Sequence, residues 1–226
     1  MLEIDLSSTE LFQNIPPEDL DALLKCLDVR KKRYQKGEIL FLEGAPTSNL
    51  GIVLSGRIMI EMGDAWGGRS ILGTIGPGGT FAEAYACIPG EPMLVTVSAA
   101  ENTTVMLVNA GRVLTICPNG CEFHSILIQN LLTLCARKNL QLSRRMQHTA
   151  QKSIRGRLMS YFSQCAKQSG GNTFEIPYNR QQLADYLNVD RSALCSELSK
   201  MQRDGLIRYV KNRFTVCPYK APPRVE

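Results

Sequence analysis

Residues 179–216 read NRQQLADYLNVDRSALCSELSKMQRDGLIRYVKNRFTV, and this stretch decides the fold. Asn179 is a helix cap, with Gln182 placed three residues on to reach back as a capping box. Leu183, Ala184 and Leu187 form one apolar face at helical spacing. The small side chain of Ala184 lets a second helix cross close by. Asn188 tolerates the left-handed backbone that a sharp turn needs, and Val189 fills the corner. Asp190 caps a second helix, on which Leu194, Leu198 and Met201 share the buried side. Gly205 stands where glycine ends helices. Together these residues spell a helix-turn-helix. Leu206 to Val216 then alternates apolar and polar residues around Lys211-Asn212-Arg213, the pattern of a hairpin, or wing.

The outward side of the second helix points to a function. Its first turns present Arg191, Ser192, Cys195 and Ser196, with Lys200 further along. Lys211 and Arg213 sit at the wing tip, and Arg180 and Gln181 open the first helix. An Arg with short hydroxyl side chains at a helix N-terminus suits base edges in a major groove. Basic wing tips suit phosphates. The competing reading is a solvated helix pair in a small helical domain. The caps, the ordered turn and the wing together favour nucleic acid.

Charge is unevenly spread over the 226 residues. Residues 149–226 hold 13 Lys+Arg against 6 Asp+Glu, whereas residues 1–148 hold 13 against 15. A basic C-terminal domain on a near-neutral partner is the pattern of a DNA binder with a sensor attached. The N-terminus, MLEIDLSSTE, is acidic and polar, unlike a signal peptide, and no apolar run reaches membrane-spanning length. A reducing cytoplasm is the expected location, with the eight cysteines as free thiols. Cys117 and Cys121 are the closest pair, but no second ligand pair stands nearby to make a metal site.

The N-terminal half opens with a helical entry from Ser8 to Leu27, interrupted by Pro16-Pro17. From Val29, short β-rich runs alternate with glycine turns: 38–43, 50–54, 56–62, 70–75, 94–99 and 103–108. That rhythm predicts a small antiparallel barrel or roll. Three motifs then appear in order. They are Gly37-Glu38-x-Leu40-Phe41-x-Glu43-Gly44, Val53-Leu54-Ser55-Gly56-x-x-x-Ile60 and Gly76-Pro77-Gly78-x-x-Phe81-x-Glu83. They resemble the cyclic-nucleotide-binding β-roll. With the helix-turn-helix and wing behind them, nearly the whole chain resembles the CRP/FNR family of bacterial transcription regulators.

Cys121 to Met146 reads as one long helix without Pro or Gly. Ile128, Leu132, Cys135, Asn139, Leu142 and Met146 form a heptad seam, and Leu127, Leu131 and Leu134 form a second stripe placed to pack on the roll. Arg144 to Gln151 is the expected hinge, and Ile154 starts the next helix. The fold class is therefore α+β, in three parts. Residues 1–118 form an antiparallel sensor roll, 119–148 a dimerisation helix and hinge, and 149–226 a winged helix-turn-helix domain. The seam and the resemblance imply a homodimer on a near-palindromic double-stranded DNA operator. The resemblance also implies RNA polymerase as a partner, as for an activator, although the operator's position decides between activation and repression.

In cyclic-AMP-binding members an Arg and a Ser take the phosphate, and a Glu takes the ribose hydroxyl. This chain offers Glu83, but Met93 and Leu94 stand at the Arg and Ser positions, and no Lys or Arg lies between Arg69 and Arg112. Burying an unpaired anion costs several kcal/mol, and Pro92 has no amide proton to help. Cyclic AMP and cyclic GMP are thus not the expected effectors. Phe81, Ala82, Glu83, Ala84, Tyr85, Met93, Leu94, Leu127 and Leu131 either line an apolar pocket for another small molecule or simply fill the roll. No cofactor is called for. Only Cys26 falls in the first 80 residues, against an iron–sulfur cluster, and His124 is a lone candidate for a haem ligand. No nucleophile–base pair, metal-spaced His/carboxylate set or phosphate loop marks an enzyme. The rival reading is an effector-independent regulator whose roll is scaffold. Family members carry Glu and Arg where Ser192 and Ser196 stand, so the half-site should differ from theirs.

Overall fold

The computed structural model describes residues 4–63, 69–115 and 123–217. The chain divides into two compact units, 1–137 and 138–226. Cys117 and Cys121 lie outside the described residues.

In the first unit a 3-10 turn at Leu6–Ser8 precedes α1 (Pro17–Cys26). Pro17 takes the first helical position, where its missing N–H costs nothing, so the entry helix is shorter than the 8–27 span read from spacing. Nine elements follow: β1 (Arg30–Tyr34), β2 (Ile39–Phe41), β3 (Asn49–Ser55), β4 (Ile58–Gly63), β5 (Arg69–Ile75), β6 (Thr80–Phe81), α2 (Glu83–Ala86), β7 (Thr96–Ala99) and β8 (Thr103–Asn109). A short α3 (Ala110–Leu114) closes the roll, its first turn capped by the Asn109 side chain. Two antiparallel sheets result, ordered β1-β8-β3-β6 and β2-β7-β4-β5.

The first sheet is covered on both faces. Val53, Phe81 and Val105 meet Ile58, Val97 and Ala99 of the other sheet in one buried cluster. Leu50, Ile52, Leu54, Met106 and Val108 belong to a second cluster with the helical entry residues Leu11, Phe12, Leu23 and Leu27. Successive strand residues point to opposite faces, which accounts for the continuous burial of β3. Gly51 pairs with Phe81. A Cβ at position 51 would fall 2.1 Å from the Phe81 ring, so only glycine lets the ring lie against the strand.

The long helix α4 (Phe123–Thr149) spans the division between the units. Its Leu127 and Leu131 enter the second cluster, as the stripe predicted. Asn130 fixes it there by donating from Nδ2 to the carbonyls of Leu11 and Gln13 at 3.0 and 2.8 Å. The helix runs through Thr149, so the polar residues from Arg144 onward are helical and the break is confined to residues 150–153. Polar composition alone cannot separate a solvated helix end from a hinge.

The second unit continues with α5 (Ile154–Ser169), β9 (Thr173–Glu175), α6 (Arg180–Leu187), α7 (Arg191–Arg203), β10 (Ile207–Val210) and β11 (Arg213–Val216). Its sheet is ordered β10-β11-β9. Phe162 and Phe214 pack at 4.6 Å between centroids in the middle of its core, beside Leu158, Leu183, Leu194 and Leu198.

Candidate nucleic-acid interface

The α6–α7 pair forms through the local chemistry expected of it. Asn179 Oδ1 accepts from the Gln182 amide and Gln182 Oε1 accepts from the Asn179 amide, both at 2.9 Å. Asn188 takes φ 53°, and the Val189 amide bonds the Ala184 carbonyl at 3.0 Å, closing the turn. Asp190 Oδ1 accepts from the Ser192 hydroxyl at 2.5 Å and the Ala193 amide at 2.9 Å. Those bonds, the hydroxyl's first, hold the Asp190 carboxyl below its ordinary range. At the other end Gly205 takes φ 72°, and the Leu206 amide reaches back to the Met201 carbonyl at 3.0 Å. Leu194, Leu198 and Met201 are fully buried.

The opposite face of α7 is open. Arg191, Ser192, Ser196 and Lys200 are exposed and Cys195 is half-buried. Ser199 belongs with them, exposed, its hydroxyl turned to the Cys195 carbonyl at 3.0 Å; its place on the helical wheel was the signal that marked it. Ser192 is exposed but committed to Asp190, which leaves Arg191 as the long donor of the first turn.

The wing turns at Lys211-Asn212, with Lys211 at φ 52° and Arg213 already the first residue of β11. Arg180 is not a free surface cation. Its guanidinium lies 5.1 Å from the ring centroids of both Tyr209 and Phe214 and donates to the Lys211 carbonyl at 2.7 Å. Through that bond the start of α6 sets the position of the wing turn. A cleft of about 480 Å³ opens between Asn179, Arg180, Gln181, Arg191, Lys211 and Asn212. Three cations around one concavity suit a phosphate. Gln181, on its rim, is tied to Asp185 Oδ1 at 2.9 Å. Ser196, Lys200 and Arg213 stand outside the cleft.

Two arginines far away in sequence hold the carbonyl end of α6. Arg145 of α4 donates to the carbonyls of Asp185 and Tyr186 at 2.8 and 2.9 Å. Arg157 of α5 donates to those of Leu187 and Asn188 at 3.0 and 2.7 Å. A helix leaves its last carbonyls unsatisfied, and cations are favoured there. Arg155 similarly joins α5 to α7, through Glu197 at 2.6 Å and Asp204 at 2.8 Å.

In the roll the nine candidate effector residues separate. Phe81, Ala82, Tyr85 and Met93 belong to the cluster between the sheets. Leu127 and Leu131 belong to the cluster on the other face of the β3–β8 sheet. Leu94 and Ala84 are exposed. Glu83 is 8 % exposed at the head of α2, where Ala82 takes the left-handed φ 59°. Phe81 and Met93 are each 2 % exposed, and the Phe41 ring lies 5.7 Å from that of Phe81, tilted by 54°. His124, the lone candidate for a haem ligand, is buried, with Nε2 3.0 Å from the Arg112 carbonyl. Among the described residues, no three His, Cys, Asp or Glu side chains are grouped to hold a metal ion, and no helix is long and apolar enough to cross a membrane.

Known proteins share this arrangement. Residues 31–119 match the cyclic nucleotide-binding domain family, and residues 156–221 match the Crp-like helix-turn-helix domain family. The CRP-like cAMP-activated global transcriptional regulator of Mycobacterium tuberculosis is 24% identical over 208 residues, 90% of each chain. Among solved structures, the c-di-GMP-responsive global regulator CLP of Xanthomonas campestris superposes with a TM-score of 0.56 at 17% identity, covering 90% of this chain and 100% of that one. CprK in complex with OCPA gives a TM-score of 0.57 at 15% identity, covering 89% and 92%. A cyclic-nucleotide-binding roll, a long connecting helix and a Crp-like helix-turn-helix follow one another in this chain, which therefore belongs to the CRP/FNR family of DNA-binding transcription regulators.

Proposed function

We propose that the protein acts as a homodimer that lays two copies of α7 in successive major grooves of a near-palindromic operator, under the control of an effector other than cyclic AMP. One observation carries the dimer. Leu132, Leu142 and Met146 fall on a single seam of α4 and are 69%, 63% and 69% exposed. A heptad stripe of large apolar side chains open to water is the surface that a second parallel helix covers. Asn139, exposed on the same seam, fixes register by pairing with its own copy. Two-fold pairing of α4 then sets the separation of the reading helices, which DNA requires to be about 34 Å.

The Met93 position supports the effector reading. The Mycobacterium relative is cAMP-activated. Here the residue aligned with the phosphate-binding Arg is an apolar side chain buried between the sheets. An effector shifts DNA affinity only by binding the two states unequally, and no Lys or Arg stands in the sequence between Arg69 and Arg112 to meet an anion at this spot.

Light scattering on the purified chain, followed by gel shifts on a selected operator, tests the dimer. A dimer whose mass halves in Leu132→Glu/Leu142→Glu, with loss of operator binding, supports it; a monomer that binds a single half-site overturns it. Calorimetry with cyclic AMP tests the effector. Micromolar binding would refute that part alone.

A further inference from the structure

The second unit contains a cavity of about 800 Å³, roofed by the C-terminal half of α4 and floored by α5, the segment after β9, and α6. Its volume suits a drug-sized ligand. The floor is aromatic. Tyr178 and Tyr186 stack at 5.1 Å and 27°, and Tyr161 lies 6.2 Å from the first and 5.4 Å from the second. The roof is cationic, with Lys138, Arg144 and Arg145 all on the wall given by α4. The bonds of Arg145 go to backbone carbonyls, which carry no net charge, so its positive charge is not cancelled there. Among the described residues, Glu175 is the one carboxylate on the lining. Gln141, Gln164 and Gln168 add neutral donors and acceptors. Burial pushes all three tyrosine hydroxyls above their ordinary pKa, so the floor stays uncharged.

We infer that this cavity binds a planar aromatic or heteroaromatic anion, its ring against the tyrosines and its carboxylate or phosphate toward Arg144 on the cationic wall of α4. Aromatic faces favour ring stacking, and charge-assisted bonds to cations are stronger than neutral ones. The bound molecule would touch α4, α5 and α6 together, including Tyr186, whose carbonyl Arg145 holds. It would therefore bias the helix that carries α7. As an effector site the assignment rests on the regulator reading above, but occupancy is measured without DNA, so failure of either is seen separately.

Calorimetry on the full chain with 2-naphthoate is the test, with 2-naphthylmethanol as the neutral probe of the same shape. We expect one naphthoate per protomer at about 1 mM affinity or tighter, and the alcohol weaker by about tenfold or more. Gln164→Trp, which fills the cavity, should weaken naphthoate by at least about tenfold. Arg144→Gln, at the exposed rim and away from the packed floor, is the second probe, expected to erase the preference for the anion while leaving the thermal midpoint unchanged. Equal affinity for the two probes, unchanged binding in both variants, or no binding because a second copy's helix fills the space would each overturn the assignment.

Discussion

Arg145 Nε donates to the Tyr186 carbonyl at 2.9 Å while its guanidinium lies 5.8 Å from the centroid of the same residue's ring. One side chain thus ties α4 to α6, the helix that packs against α7. Hydrogen bonds from charged donors contribute about 1.5–3 kcal/mol each when buried, less at a half-buried site. Arg145→Ala should lower stability by about 1–2 kcal/mol and Arg145→Lys, which lacks the fork, by nearly as much. Denaturant unfolding followed by tyrosine fluorescence measures it. If Arg145→Lys is as stable as the parent, the fork geometry is not what matters.

Ala82 marks a second relationship, in the roll. It takes φ 59° at the head of α2, a region where an L side chain costs about 1–2 kcal/mol. Ala82→Gly should raise stability by about 1 kcal/mol, the strain relief outweighing the greater freedom of the unfolded chain. A lowered thermal midpoint would mean that the Cβ makes a contact worth more than the strain.

Much of the second unit was legible because its signals are local. Asn179, Gln182, Asn188, Asp190 and Gly205 each act on backbone groups within a turn of themselves, so residue type and spacing suffice. The roll's strands were legible where they alternate. β1 was not, because Arg30, Lys31, Lys32 and Arg33 are all basic and exposed and show no apolar–polar alternation; its pairing with β8 is a backbone affair. The arginine clamps on α6 join residues 30 to 41 apart, and nothing local announces them. The effector candidates failed to converge for a related reason. Phe81 and Met93 on one side and Leu127 and Leu131 on the other are all apolar, but only the fold shows that the β3–β8 sheet lies between them.

His148 should make stability depend on pH. It is 2 % exposed, packed against Tyr161 and Tyr186 at 5.6 and 6.1 Å, with Nδ1 2.9 Å from the Ser160 hydroxyl. Burial lowers its pKa from the ordinary 6.5. The unfolded chain therefore takes up a proton at a higher pH than the folded one, so this contribution is intact above about pH 6.5 and drains away as pH falls toward the folded value. The thermal midpoint should drop between about pH 7.5 and about pH 5.5, and His148→Gln should flatten that drop. Identical slopes in parent and variant would assign the pH dependence to other groups.

The DNA-facing cations should divide by role. Arg191 is exposed at the first position of α7 and Arg213 opens the wing strand; on the proposed reading the first meets a guanine edge and the second a phosphate. Arg191→Ala should cost about 1–3 kcal/mol per half-site and relax preference at one base pair. Arg213→Ala should weaken all duplexes alike and make binding less steeply salt-dependent, by about one unit of slope per contact removed. Arg180→Ala should behave differently from both. Its guanidinium bonds the Lys211 carbonyl and lies against two rings, so its loss frees the wing turn and costs stability as well as affinity. Gel shifts on a base-substituted operator series at two salt concentrations separate the three. A uniform loss from Arg191→Ala, or a base-specific loss from Arg213→Ala, would reverse the assignment of groove and backbone along this face.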